Sequence, residues 1–347
     1  MKCVFFINPK AGRGAGSRLA DEIEAIELPV AISRRIIFTE PERLNVQVRV
    51  CASRADLVVI CGGDGTVGQI ISHLVQLSKP PTLAIIPMGT GNDLARVSGW
   101  LSSWEDMGLP GLYFAIREAK TSMLDTWELT AASQDKEISY TFAVYAGIGC
   151  DASICKSFQD LPRLPSMPAS ARKLLYLPAS IKTLLTGTPR KINCDFRTSG
   201  QETTLGLDGC KTAAQLLFLN APSYGGGTLM LQEVDLSDGM LDCLCFSSCM
   251  RFFSSVLAPS SLKKKVLPPV HHVKGLCFRI YNHADLQIDG EPCGVLSAGS
   301  EITIRLQKHL PLLKPLPDKF LRSRLRSFEK GKGDNRIKGR IARPAVM

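Results

Sequence analysis

Apolar positions fall into two regimes along the chain. In the first hundred or so residues they concentrate in short runs at 3–7, 32–38, 55–60 and 82–86. Runs of this length and β-branched content predict strands covered on both faces, as in a parallel sheet. Between them the spacing turns helical: Leu19, Ile23 and Ile26 follow Ser17, and Val67, Ile70, Ile71, Leu74 and Leu77 follow Thr66. Residues 41–52 predict a further helix with Pro41 in its first turn. The pattern changes around Leu124-Asp125-Thr126-Trp127-Glu128. Short alternating segments then dominate, at 140–145, 191–196, 215–219, 241–246, 276–281 and 301–306, and they predict antiparallel strands. Helical stretches are expected near 152–158 and 169–185, separated by a loop marked by Pro162, Pro165 and Pro168. The fold class is therefore α/β plus β. A parallel-sheet unit is expected over 1–125, a mostly antiparallel, β-sandwich-like unit over 126–310, and a tail over 311–347.

Three of the early strands run into glycine-rich turns, and these carry the candidate chemistry. Gly62-Gly63-Asp64-Gly65-Thr66 ends one apolar run and opens a helix, so backbone N–H groups are left unpaired where an anion is favoured. Glycine there allows positive φ and lets a phosphate approach the backbone without a Cβ in the way. Asp64 is the anomaly, because a carboxylate beside a phosphate cradle is repelled unless a metal or a proton transfer uses it. The same residues also make good turn material. Asn8-Pro9-Lys10-Ala11-Gly12-Arg13-Gly14-Ala15-Gly16 is a second such unit, in which Lys10 and Arg13 either meet phosphates or form a basic loop. It lacks the Gly-Lys-Ser/Thr ending of a P-loop and the spacing of a Rossmann fingerprint. Gly89-Thr90-Gly91-Asn92-Asp93 is the third, with Asn92 or Asp93 as helix N-cap. Such turns would gather at the carboxyl edge of one sheet, where open α/β folds place ligands.

Composition narrows the classes. Apolar runs fall far short of the roughly 20 residues a membrane span needs. The twelve cysteines show no Cys-x-x-Cys and no His partner at zinc spacing, and they read as small buried hydrophobes in a reducing, cytoplasmic setting. The net charge of +10 belongs to the end of the chain. From Lys308 onward twelve Lys and Arg face only Asp318, Glu329 and Asp334, which is +9 and leaves about +1 for the preceding 307 residues. A tail of that kind suits nucleic acid, an anionic membrane surface or nothing specific.

In order along the chain, Cys61-Gly62-Gly63-Asp64-Gly65-Thr66-Val67-Gly68, Pro87-Met88-Gly89-Thr90-Gly91-Asn92-Asp93, Asp125-Thr126-Trp127, Gly147-Ile148-Gly149-Cys150-Asp151, Asn220-Ala221-Pro222-Ser223-Tyr224-Gly225-Gly226-Gly227 and Gln287-Ile288-Asp289-Gly290-Glu291-Pro292 resemble the motifs of the diacylglycerol kinase catalytic family. The likeness runs from about Asn8 to Leu306 and leans toward the eukaryotic members. It implies transfer of the γ-phosphoryl of ATP to a lipid hydroxyl, with Mg²⁺, between a nucleotide-binding unit and a lipid-binding one. By this resemblance the ATP site takes in Asn8, Lys10, Thr39, Gly62, Gly63, Asp64, Gly65, Thr66, Gly89, Thr90, Gly91 and Asn92. Glu291, with Asp289 beside it, matches the general base. Asp64, Asp93 and Asp125 match an acidic network around the catalytic Mg²⁺. Asp235, Asp238 and Met240 match a structural metal site of bacterial relatives. The expected substrate is 1,2-diacylglycerol, giving phosphatidic acid; a sphingoid-base or ceramide kinase and a non-catalytic lipid-binding protein are the alternatives. The expected partners are lipid at a membrane surface and, through the tail, anionic phospholipids, not nucleic acid. The expected location is cytoplasmic and peripheral to the membrane. No cysteine-rich zinc module precedes the first strand, and Cys293 stands where a Trp often follows the Asp-Gly-Glu-Pro motif, so recruitment is expected from the body or the tail.

Overall fold

The computed structural model describes residues 1–26, 32–118, 120–134, 136–159, 191–197, 207, 210–232 and 234–315. Four early strands, β1 (Lys2–Ile7), β2 (Ser33–Phe38), β3 (Leu57–Gly62) and β4 (Thr82–Pro87), lie parallel in the order β2-β1-β3-β4. Helices α1 (Ala11–Ala25), α2 (Leu44–Ala52), α3 (Asp64–Leu74), α4 (Asp93–Val97) and α5 (Trp100–Glu118) connect and cover them. All six residues of β3 are buried, which is why it reads as an uninterrupted apolar run. Pro41 opens a 3₁₀ turn, Pro41–Arg43, ahead of α2, because its missing N–H is harmless there.

The later part comprises β5 (Thr121–Ala132), β6 (Glu137–Phe142), β7 (Tyr145–Gly149), α6 (Cys150–Gln159), β8 (Ile192–Arg197), β9 (Thr212–Ala213), β10 (Gln215–Leu219), β11 (Ser223–Tyr224), β12 (Thr228–Leu229), β13 (Leu241–Phe246), β14 (Val270–Val273), β15 (Gly275–Ile280), β16 (Ala284–Ile288), β17 (Glu291–Leu296) and β18 (Glu301–Leu313). A six-stranded antiparallel sheet has the order β14-β13-β10-β7-β16-β17. The remaining long strands pack against this sheet across a shared core, as a sandwich does. They extend the parallel sheet through β4-β18-β15-β8, with β5 on β18 and β6 on β5. The expected boundaries after residues 125 and 310 thus fall inside β5 and β18. β18 is twice the predicted length, since Lys308 and Pro311 disguise its second half: Lys308 reaches across to donate to the Leu77 carbonyl at 2.7 Å, and Pro311 pairs with Met123.

The cysteine expectation needs one correction: Cys210 and Cys245 are joined in a disulfide, because the segment entering β9 passes beside β13. The other ten are free, and eight of them are buried. The helix expected at 169–185, the proline-marked loop and the tail from residue 316 lie outside the described residues. No described helix is long and apolar enough to cross a membrane.

Candidate functional site

The ends of β1, β3 and β4 meet at one edge, and main-chain bonds stitch their turns together. Asn8 N donates to the Cys61 carbonyl (3.0 Å), Met88 N to that of Gly62 (2.9 Å) and Gly12 N to that of Met88 (3.0 Å). Side chains add to this, Asn8 Nδ2 donating to Thr66 Oγ1 at 2.9 Å and Asn8 Oδ1 accepting from Lys10 N at 3.0 Å. Thr39 reaches the same edge, its N–H bonded to the Ile7 carbonyl at 2.9 Å. The glycines work differently from the expectation. None of Gly62, Gly63, Gly65, Gly89 and Gly91 has positive φ. They are glycine because two turns pack backbone on backbone: a Cβ on Gly89 would sit 2.6 Å from Gly63 Cα. Positive φ is confined to Gly12-Arg13-Gly14 in the first turn and Asn92 in the third.

Asp64 joins the second and third turns. Its two oxygens accept the N–H groups of Asn92 and Asp93, each at 2.6 Å. The cap of α4 therefore comes from another helix, while Asn92 uses its side chain to hold both the N–H and the carbonyl of Gly89 (2.8 and 2.9 Å). Burial first, and then the nearby Asp93 carboxylate, bring the Asp64 pKa up to about 6 against the lowering effect of the two amides. Asp93 is 4% exposed; its Oδ2 accepts from Gly226 N (3.0 Å) and the Tyr145 hydroxyl (3.2 Å), and its buried Oδ1 has no donor among the described residues.

The other wall is the β16–β17 turn. Asp289 and Gly290 both have positive φ (47° and 86°), as a two-residue hairpin of this hand requires. The half-buried Asp289 accepts, through its carboxylate, the N–H groups of Ala143, Val144 and Tyr145 at 2.9 to 3.1 Å, and desolvation brings its pKa to about 6 despite them. Asp64, Asp93 and Asp289 line one small enclosed pocket with Val67, Gly68 and Ile71. Glu291, two residues beyond Asp289, is exposed and lies against the first turn of α3: a Cβ on Gly65 would be 3.1 Å from its Oε1.

Two predicted groups lie elsewhere. Asp125 is fully buried, with Oδ2 accepting from Gly239 N at 2.6 Å and Oδ1 paired with His309 Nδ1, so its carboxylate is directed to the 235–240 turn. Asp235 Oδ1 accepts from Ser237 N (3.0 Å), and Asp238 Oδ1 from Met240 N (2.8 Å), both bonds closing that turn on itself. Tyr145, Tyr224 and Gln287 are polar partners to which sequence reasoning assigned no role, although the last two stand in quoted motifs. The Tyr224 hydroxyl (2.7 Å) and Gln287 Nε2 (3.3 Å) donate to the buried Asp151, whose pKa burial raises to about 6. The available signal was a polar residue at each end of a buried strand, as with Asn220 after β10, whose amide ties Trp127, Asp125 and Ala143 together.

Comparison with known proteins follows the same two regions. Residues 2–122 match the diacylglycerol kinase catalytic domain, and residues 141–292 match the diacylglycerol kinase accessory domain. Human diacylglycerol kinase zeta is 25% identical over 331 residues, covering 87% of this chain and 34% of that protein. The eye-specific diacylglycerol kinase of Drosophila melanogaster is 26% identical over 351 residues, covering 90% and 22%. The chain spans about a third or less of the length of these relatives. The crystal structure of a diacylglycerol kinase from Bacillus anthracis shares the fold, with a TM-score of 0.61 at 22% identity over 91% of this chain and 97% of that one. With catalytic and accessory domains matched in succession over most of its length, the chain belongs to the diacylglycerol kinase family.

Proposed function

We propose that this protein is an ATP-dependent lipid kinase that phosphorylates the free hydroxyl of 1,2-diacylglycerol to give phosphatidic acid. The observation that carries the reading is the placement of the exposed Glu291 carboxylate against Gly65, in the turn of α3 that opens from the glycine-rich edge. A phosphate held at that edge and a hydroxyl beside Glu291 would be neighbours.

In this reading ATP lies across Asn8, Lys10, Thr39, Gly62–Thr66 and Gly89–Asn92. The amides of Asn92 and Asp93 already serve Asp64, so the first-turn amides of α3 are the donors left for phosphate. Glu291 takes the proton of the lipid hydroxyl as the oxygen–phosphorus bond forms and ADP departs. Asp289 is a positioning residue, fixing the 143–145 segment and the turn that presents Glu291. The Asp64–Asp93 pair fits a divalent cation, since Asp93 Oδ1 is buried without a donor among the described residues and its carboxylate raises the pKa of Asp64. Mg²⁺ bound there would neutralise phosphate charge, in the usual manner of one or two carboxylates with the rest of the shell from phosphate and water. The placement of Asp125 leaves it a supporting role through the 235–240 turn.

The acceptor class is supported by Asp151. Its carboxylate is buried and held by Tyr224 and Gln287, which gives no open counter-charge for a sphingoid ammonium, whereas an uncharged diacylglycerol asks for none. Incubating the protein with labelled ATP and a panel of lipid alcohols in mixed micelles tests the assignment. Diacylglycerol should have the highest kcat/KM. A higher value for sphingosine would transfer the acceptor to that class, and no transfer to any lipid, in a folded protein that binds ATP, would overturn the kinase reading.

A further inference from the structure

Away from this site lies the longest acid-free part of the sequence, 243–284, which holds six Lys and Arg and no Asp or Glu. Its centre is the helix Cys249–Leu257, begun by a Ser248 cap whose hydroxyl accepts from Arg251 N at 3.2 Å. The helix buries Cys249, Phe252 and Ser255 and turns the opposite face outward. On that outer face Met250, Ser254 and Leu257 follow one another at the i, i+4, i+7 spacing of a single stripe. Met250 is 64% exposed and Leu257 is 72% exposed; Leu262, in the short turn that follows, is 45% exposed. Exposed large aliphatics in one segment are not what a solvated surface calls for.

Lys263 keeps these groups together. Its side chain is buried, and its ammonium donates to the carbonyls of Ser255 and Val256, the latter at 3.1 Å, at the negative end of the helix dipole. Ser255 Oγ adds a bond to the Val266 carbonyl at 3.1 Å. The returning segment is thereby folded back on the helix, and in it Lys264 and Lys265, two and three residues after Leu262, are exposed. Neither lysine pairs with an acidic side chain among the described residues.

We propose that Met250, Leu257, Leu262, Lys264 and Lys265 form a docking surface for an anionic bilayer, the aliphatic tips entering the headgroup–acyl boundary while the lysines meet lipid phosphate. The inference rests on the lipid kinase reading, because an acceptor that lives in a membrane must be reached there. Charge complementarity selects the partner: a protein interface concentrates aromatic anchors and excludes lysine from its centre, whereas separate aliphatic tips bordered by lysine in an acid-free segment suit a headgroup layer. The inner face supplies a reason for the location. Phe252 packs on Tyr224 with ring centroids 5.7 Å apart, and Tyr224 on Tyr145 at 4.9 Å, and the Tyr145 hydroxyl bonds to Asp93. The helix and this series of three rings connect the outer face to the acidic cluster.

The test uses the full chain and vesicles of phosphatidylcholine with or without phosphatidylserine. Leu257→Trp should show a blue-shifted emission difference from the unsubstituted chain, and quenching by brominated phospholipid, only with the anionic vesicles. Lys264→Ala/Lys265→Ala should lower vesicle partitioning roughly 30-fold, at about 1 kcal/mol per lysine, with the loss shrinking at high salt. Phosphorylation of a short-chain, water-soluble diacylglycerol should be unchanged in both variants. Vesicle binding with no emission shift at position 257, or no binding at all, would overturn the proposal. So would a blue shift in the absence of vesicles accompanied by dimers in light scattering, which would assign the face to a second copy. If the shift and the 30-fold loss appear while no lipid is phosphorylated, the surface stands and the kinase reading falls.

Discussion

Asp64 and Glu291 reach one edge of the molecule from opposite regions and are held in opposite ways. The parallel-sheet side half-buries Asp64 and spends both its oxygens on the amides of Asn92 and Asp93, so that the two glycine turns are joined in one rim. Opposite it, the β16–β17 turn holds the half-buried Asp289 on three amides and leaves Glu291 exposed. In each region a half-buried aspartate organises backbone, and the antiparallel side presents an exposed acid two residues further on. Two acidic residues in equally conspicuous motifs are therefore not equivalent: one kind fixes backbone geometry, and the other stands exposed at the edge.

Glu291→Gln sharpens this contrast most. Turnover should fall about 10²- to 10⁴-fold, the range of a general base, with ATP affinity and melting temperature nearly unchanged. A collapse of ATP binding in calorimetry would instead move Glu291 into the nucleotide site. Asp64→Asn comes next. Activity should fall on the order of 10²-fold. Unlike Glu291→Gln, it should also lower stability by roughly 1–3 kcal/mol in urea titrations, because an amide nitrogen would face an N–H that the carboxylate had satisfied. Loss of activity with undiminished stability would break the comparison.

Gly89→Ala acts on the rim alone. The added methyl meets Gly63 backbone at 2.6 Å, so the cost should be about 1–3 kcal/mol, with weaker ATP binding. Gly14→Ala, with nothing within 4 Å but a φ of +85°, should cost about 1 kcal/mol of backbone strain. Equal effects on ATP binding would mean that the Gly63–Gly89 contact does not shape the site.

The smallest effect is on the pH dependence of stability. Burial raises Asp64, Asp151 and Asp289 from 3.8 to about 6, so the folded state holds more protons than the unfolded chain between those values. Their contribution is full below about pH 4, is lost as pH rises toward 6 and stays lost above it. Asp151→Asn keeps an acceptor for Tyr224 and Gln287 and should make that decline shallower, as read from melting temperatures across the window. A decline as steep as in the unsubstituted chain would mean that Asp151 does not titrate there.

By itself the sequence determined the elements whose pattern is local. Buried parallel strands are continuous apolar runs, and β3, β10 and β13 stand almost where the pattern puts them. The glycine turns, Asp64 and the Asp289-Gly290-Glu291 reversal were equally visible, because a tight turn or a helix start demands particular residue types close together in the chain. Tertiary structure decided what spans long separations. That β18 continues the parallel sheet depends on Leu312 meeting Leu83, and no local period encodes this. The same holds for Asp64 capping a helix 28 residues away and for Asp125 turning to His309. A carboxylate looks alike in sequence whether amides, a histidine or water face it; only the packing of distant segments assigns its partners, and with them its charge and its work.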